Sequence, residues 1–178
     1  AVARQLGTHL RGYKFGHVRQ LDAIASRLLA ALAARVPALV SGGDEMAYVD
    51  LDDTIRETHG YAKQGAGYRY SGVKGLNALV ATLSTPTAAP VIAGIRLRKG
   101  SVKSPRGAGK MIAEALAAAR RAGAGGMVTV RADSAFYQHD VVAAVIARDR
   151  LQLAHLVGLE IARREDPAVL PARLHDQL

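Results

Sequence analysis

Four aspartates carry the chemistry this sequence could perform. Asp50, Asp52 and Asp53 stand in Tyr48-Val-Asp-Leu-Asp-Asp-Thr54, and Asp133 stands in Val128-Thr-Val-Arg-Ala-Asp-Ser134. Each group ends a short apolar run that reads as a buried strand. Side chains alternate along a strand, so Asp50, Asp52 and Thr54 share one face and Asp53 takes the other. Like charges on one face of a buried strand repel strongly in a low-dielectric setting. A bound divalent cation is the common remedy, so the pattern predicts metal-assisted phosphoryl chemistry.

The surrounding elements must bring those aspartates together. Leu21, Ile24, Leu28, Leu29 and Leu32 recur at helical spacing with Arg19, Arg27 and Arg35 between them, which predicts an amphipathic helix over 16–36 that ends at Pro37. A Ser-Gly-Gly-Asp turn over 41–44 leads into the first acidic strand. The Gly- and Tyr-rich stretch 59–75 suits a twisted hairpin. Strands are expected over 77–83 and 90–97, then a basic loop over 96–106 without a single acid. A helix over 108–122 is stopped by Gly123. A strand over 127–132 leads to Asp133, and 140–148 reads as helix. The order predicts an α/β fold with a mixed sheet. Three segments are expected: an N-terminal helical part (1–44), a core (45–147) and a charged helical tail (148–178).

Composition narrows the partners. The 178 residues hold 24 Lys and Arg against 15 Asp and Glu, a formal charge of +9, with a pI near 10.3. Such an excess favours a polyanion, and nucleic acid is the usual one. No cysteine is present, which excludes disulfides and thiolate metal sites. No apolar run approaches the ~20 residues of a membrane span, and Arg4, Arg11, Lys14 and Arg19 interrupt any signal-peptide pattern. A cytoplasmic, nucleoid-associated protein is expected. The chain opens on Ala1, which suggests a fragment or a processed product.

Two phosphoryl chemistries fit the first acidic run. Asp50-x-Asp52-x-Thr54 resembles the first motif of haloacid-dehalogenase-like phosphohydrolases, which implies Asp50 as nucleophile and Asp52 as general acid. That motif calls for a helix soon afterwards, where this chain has its Gly/Tyr stretch. Alternatively, Asp52-Asp-Thr54 closes the first strand of an RNase H-like sheet. A hairpin, a further strand and a helix follow, and the next strand delivers a second Asp beside the first. This layout uses both acidic strands.

Four ordered stretches carry a further resemblance: His59-Gly-Tyr-Ala-Lys-Gln-Gly65, Gly72-Val-Lys-Gly-Leu76, Leu97-Arg-Lys-Gly100 and Val130-Arg-Ala-Asp-Ser-Ala-Phe-Tyr137. Together they are similar to the catalytic core of bacterial insertion-sequence DDE transposases, and Phe15-Gly-His-Val-Arg-Gln-Leu-Asp22 is similar to the segment just before it. The resemblance spans roughly 10–147. It implies an RNase H-like mixed sheet flanked by helices and incomplete at its C-terminal end. It also implies cleavage and strand transfer at transposon ends, double-stranded DNA as partner, Mg²⁺ as a two-metal cofactor and a possible homo-oligomer. By position, Asp52 is the first catalytic aspartate and metal ligand and Asp133 the second, with Asp50 a rival for the first role. Such enzymes also need a later Glu. Glu160 and Glu165 lie on a plausible helix but read as solvated charges, so a truncated enzyme, inactive alone, is expected. A remnant that only binds DNA is a third reading.

The remaining polar motifs have plainer readings. Arg96, Arg98, Lys99, Lys103 and Arg106 could meet DNA phosphates, as could the first helix. His59 and His139 read as turn and cap residues. Arg120 and Arg121 suit the negative end of their helix. Gly109-Lys110 lacks the Ser or Thr that a phosphate-cradling loop needs next, since Met111 follows.

Overall fold

The structure is a computed structural model that describes residues 15–59, 63–68 and 72–148. Helix α1 (Phe15–Arg35) is followed by a 3-10 turn at Pro37–Val40 and strand β1 (Met46–Glu57). Then come β2 (Gly67–Tyr68), β3 (Lys74–Ser84), β4 (Val91–Arg98), helix α2 (Ala108–Ala122), β5 (Met127–Ala132) and helix α3 (His139–Arg148). The sheet runs β4-β3-β1-β5, and β2 pairs the first residues of β3. β1 is antiparallel to β3, β3 is antiparallel to β4, and β1 is parallel to β5. The molecule is therefore an α/β fold with an open, mixed sheet flanked by helices. Within the described residues, the helix of the N-terminal segment shares one core with the sheet, through Leu29 and Ala33. Residues 149–178, including Glu160 and Glu165, lie outside the described residues, as do parts of the 59–75 stretch.

One face of the sheet makes the core. Ala47, Val49 and Leu51 of β1, Leu79, Ala81 and Leu83 of β3, and Val128 and Val130 of β5 point at α2, with Phe136 and Met111 filling between. Each large aliphatic side chain buried there contributes about 1.5–3 kcal/mol. Helix α2 meets the sheet through Ala108, Ile112, Ala115 and Ala119, all buried, and alanines at this spacing let helix and sheet approach closely. Its end is doubly specified. Gly123 adopts φ +108° and donates its N–H to the carbonyls of Ala119 and Arg120, a conformation that suits only glycine well. Arg120 then donates to Ala124 O at 2.7 Å and Gly126 O at 2.6 Å, so the arginine caps the helix end.

Helix α1 departs from the periodicity argument. Of its leucine and isoleucine stripe only Leu29 is buried, whereas Leu21, Ile24, Leu28 and Leu32 are 46–61% exposed. The helix is held by polar anchors on its neighbouring face. Arg19 donates to Glu114 of α2 at 2.6 Å and to Asp22 at 3.0 Å, and Arg96 of β4 donates to the same Glu114 at 2.6 Å. Helical spacing identifies an apolar stripe, but the face that turns inward carries Leu29, Ala33 and the Arg19 that meets Glu114.

A close backbone approach shapes the sheet where β4 ends. A Cβ on Gly100 would collide with the carbonyl oxygens of Gly75 and Gly67, and its N–H donates to Gly65 O at 2.9 Å. Gly100→Ala is therefore expected to lower stability by about 2 kcal/mol or more, because rigid backbone cannot yield to a methyl group. Urea unfolding of the two proteins measures it.

Candidate functional site

β1 is longer than the sequence suggests, and its aspartates lie within it rather than at its end. Strand alternation then sorts them. Val49, Leu51 and Asp53 point to the core side, while Tyr48, Asp50, Asp52 and Thr54 lie on the opposite face, where Asp52 and Thr54 are exposed. The expectation that like charges share a buried face is thereby corrected: that face is open to water, and charge there is screened.

The parallel pairing of β1 with β5 places the rest. Asp50 is opposite Arg131 and Leu51 opposite Ala132. Asp52 and Asp133 each follow that last pair directly, so they occupy neighbouring positions at the same end of adjacent strands, which lie about 4.8 Å apart in a sheet. Asp133 keeps extended backbone (φ −73°, ψ 169°) and accepts the N–H of Ala135 at 2.9 Å, capping the short turn Ser134–Phe136. Asp52 accepts the N–H of Asp53 at 2.7 Å. Among the described residues neither carboxylate has an ion-pair partner.

Asp50 is different. Arg131 grips it through two parallel bonds, Nε to Oδ1 at 2.5 Å and Nη2 to Oδ2 at 2.8 Å. The same guanidinium lies 4.2 Å from the centre of the Tyr48 ring. The hydrogen bonds it donates to Asp50 push the Arg131 guanidinium further above its already high ordinary value, so this cation stays charged at any working pH. The two rivals for the first catalytic position thus differ: Asp50 is neutralised and Asp52 is not.

The sequence did not foresee the partner of Asp53. Asp53 is paired with Arg98 at 2.7 Å, and the two side chains are only 7% and 8% exposed. Asn77, fully buried, donates to Asp53 at 2.8 Å and accepts from Arg98 Nε at 2.7 Å. Ser104 Oγ donates to Asp53 at 3.3 Å, and Arg98 Nη1 donates to the carbonyls of Ser104 (2.9 Å) and Arg106 (2.6 Å). Alternation alone separates Asp53 from Asp50 and Asp52, and the structure shows that its side is the buried one. Which cation meets it depends on β4 lying across β3 from it.

That arrangement redistributes the basic loop. Arg98 spends its donors inside the protein and is no surface contact for DNA. Arg96 is also engaged, with Glu114 at 2.6 Å and Asp22 at 3.7 Å. Lys99, Lys103 and Arg106 remain exposed, on a loop folded around the Arg98 guanidinium and tied to the residue next to Asp52. His59 and His139 are exposed. Gly109 serves packing: a Cβ there would meet Asp140 O at 2.9 Å and Ala144 Cβ at 3.3 Å, so α3 crosses α2 at that point.

The Glu114 junction makes α1 sensitive to acid. Partial burial pushes the Glu114 carboxyl up, but hydrogen bonds from Arg19 and Arg96 outweigh it and hold the group below its ordinary value of 4.5. A carboxylate with a lowered value in the folded state contributes stability that is present above 4.5 and lost as pH falls through the lowered value. Amide exchange in α1 is expected to quicken as pH drops below that range relative to α2, once corrected for intrinsic rates. In Glu114→Gln the difference between the helices no longer changes with pH.

Among the described residues no group of three or more His, Asp and Glu side chains is placed to share a metal ion, and no helix is long and apolar enough to cross a membrane. Asp52 and Asp133 are two exposed carboxylates at the same end of adjacent strands, without an ion-pair partner among the described residues. Comparison with protein-family models, with characterised proteins and with solved structures returns no match.

Proposed function

We propose that this chain carries part of an RNase H-like DDE core and acts in DNA transposition, by metal-dependent cleavage and strand transfer of phosphodiesters. The observation that supports this most is the register of β1 and β5, which sets Asp52 beside Asp133 on the open face. The strand order also agrees, with β1 between the antiparallel β3 and the parallel β5 that follows the helix, and β4 paired to the far side of β3. Asp52 and Asp133 would hold Mg²⁺. Bound there, the metal would supply Lewis-acid stabilisation of the leaving oxygen and an activated attacking hydroxyl. The chain's own parts have simpler tasks: the two strands fix the carboxylates, Arg131 neutralises Asp50 beside them, and Lys99, Lys103 and Arg106 offer charge to the DNA backbone.

The phosphohydrolase alternative draws less support, because its nucleophile, Asp50, is held at both oxygens by Arg131. A DNA-binding remnant is favoured by the lack of a third carboxylate among the described residues. Nicking of supercoiled DNA separates the three. The transposase reading expects Mg²⁺-dependent nicking that disappears in Asp52→Ala and in Asp133→Ala. The remnant binds DNA with an affinity that falls steeply with salt but never nicks it. The phosphohydrolase hydrolyses an aryl phosphate, and Asp50→Asn abolishes that turnover.

A further inference from the structure

Arg131 has more donors than its pairing with Asp50 uses. A guanidinium carries five N–H groups in one fixed plane, a side-on pair from Nε and Nη2 and an end-on pair from Nη1 and Nη2. Asp50 takes the side-on pair, at 2.5 Å and 2.8 Å. Among the described residues no acceptor takes the end-on pair, and the Arg131 side chain is 45% exposed. Tyr48, two residues before Asp50 on the same face, stacks against the guanidinium with its ring centre at 4.2 Å. Two neighbours thus fix the plane, and a fork already held in place loses little freedom when it takes a ligand. Two parallel N–H donors in a plane match the oxygens of a phosphate.

Register gives that fork its place. Asp50 is opposite Arg131. Asp52 lies two positions past Asp50 and Asp133 two positions past Arg131, so the fork stands one step, about 6.6 Å, back along the strands from the two carboxylates. The stack on Tyr48 puts the guanidinium on the side away from Asp52. On the transposition reading, we propose that Arg131 holds the DNA by the phosphate next to the one that meets Asp52 and Asp133. The bound strand then runs over the open face from that pair toward Tyr48. Asp50 stays paired throughout, so Arg131 acts as a fixed hydrogen-bonding fork rather than as net charge. This separates it from Lys99, Lys103 and Arg106, which are exposed point charges or free forks on a loop.

The probe is a short fluorescein-labelled DNA duplex, followed by anisotropy in Mn²⁺ and in EDTA. The informative variant combines Asp50→Asn with Arg131→Gln, which removes the fork while the pair stays neutral. It is expected to bind at least about tenfold more weakly than wild type in Mn²⁺, with a smaller loss in EDTA, where no phosphate is seated at the carboxylates. Arg131→Lys keeps the charge without the fork and should lose severalfold. Circular dichroism and Mn²⁺ calorimetry confirm that fold and metal site persist in both. A double variant that matches wild type while Mn²⁺ strengthens binding of both overturns the proposal and leaves the transposition reading standing. A loss equal in Mn²⁺ and EDTA puts Arg131 on DNA away from the carboxylates and overturns it as well. A wild type whose DNA affinity Mn²⁺ does not raise overturns the transposition reading, and the proposal falls with it.

Discussion

Asp52→Ala and Asp133→Ala are each expected to lower the affinity for Mn²⁺ by more than the roughly 10- to 100-fold that loss of an outer-shell partner brings, in calorimetric titrations of protein shown to be folded. Asp50→Asn, by contrast, weakens binding by less than about tenfold. The distinction rests on where each charge already goes. Asp50 is committed to Arg131 through two bonds, and the two form a nearly neutral unit. Removing its charge leaves Arg131 uncompensated beside the site, which repels a cation without deleting a ligand. Asp52 and Asp133 have only single backbone N–H donors as described partners, so their remaining oxygens are available. Both variants must show the effect if the strands share one site. If only Asp50→Asn and Asp52→Ala weaken binding, the site belongs to β1 alone and the phosphohydrolase reading replaces the present one.

Arg98→Ala destabilises the protein by about 3–5 kcal/mol, the range for breaking one partner out of a buried ion pair. At this chain length that lowers the melting temperature by roughly 10 °C. The mechanism is an uncompensated carboxylate at Asp53, with Asn77 and two loop carbonyls losing their donor at the same time. Arg98→Lys keeps the charge but cannot span four acceptors as a planar fork does, so it recovers only part of the loss. The damage also reaches the surface. The loop from Lys99 to Arg106 is wrapped on this guanidinium, and limited proteolysis should cut it earlier in Arg98→Ala than elsewhere in the chain. A contribution by Arg98 through direct DNA contact alone would leave melting temperature and cleavage pattern unchanged.

These two expectations come from one strand whose alternation the sequence shows, although which of its faces is buried it does not. Alternation along Asp50-Leu-Asp-Asp-Thr54 separates Asp53 from its neighbours without any coordinates, because a strand has period two. Helix α2 was equally legible: small residues at helical spacing and a terminal glycine define both its inward face and its end. The two strands before the basic loop and the strand before Asp133 follow from apolar runs between turn signals.

What the sequence by itself determined, then, is the set of elements, their order, and the pairing of faces within each, all of which depend on residues a few positions apart. What only the tertiary structure decided is which groups from distant elements meet. The inward face of α1 carries Arg19, which meets Glu114, 95 positions away. Arg98 reads as a surface charge until β4 lies beside β3 and brings it to Asp53, 45 positions away. Asp50 and Asp52 are equal rivals until β5 slides Arg131 opposite one and Asp133 next to the other. Charge pairing acts over a few ångströms in space and is blind to distance along the chain. For that reason a sequence can show that a buried aspartate needs a cation, while only the fold can supply one.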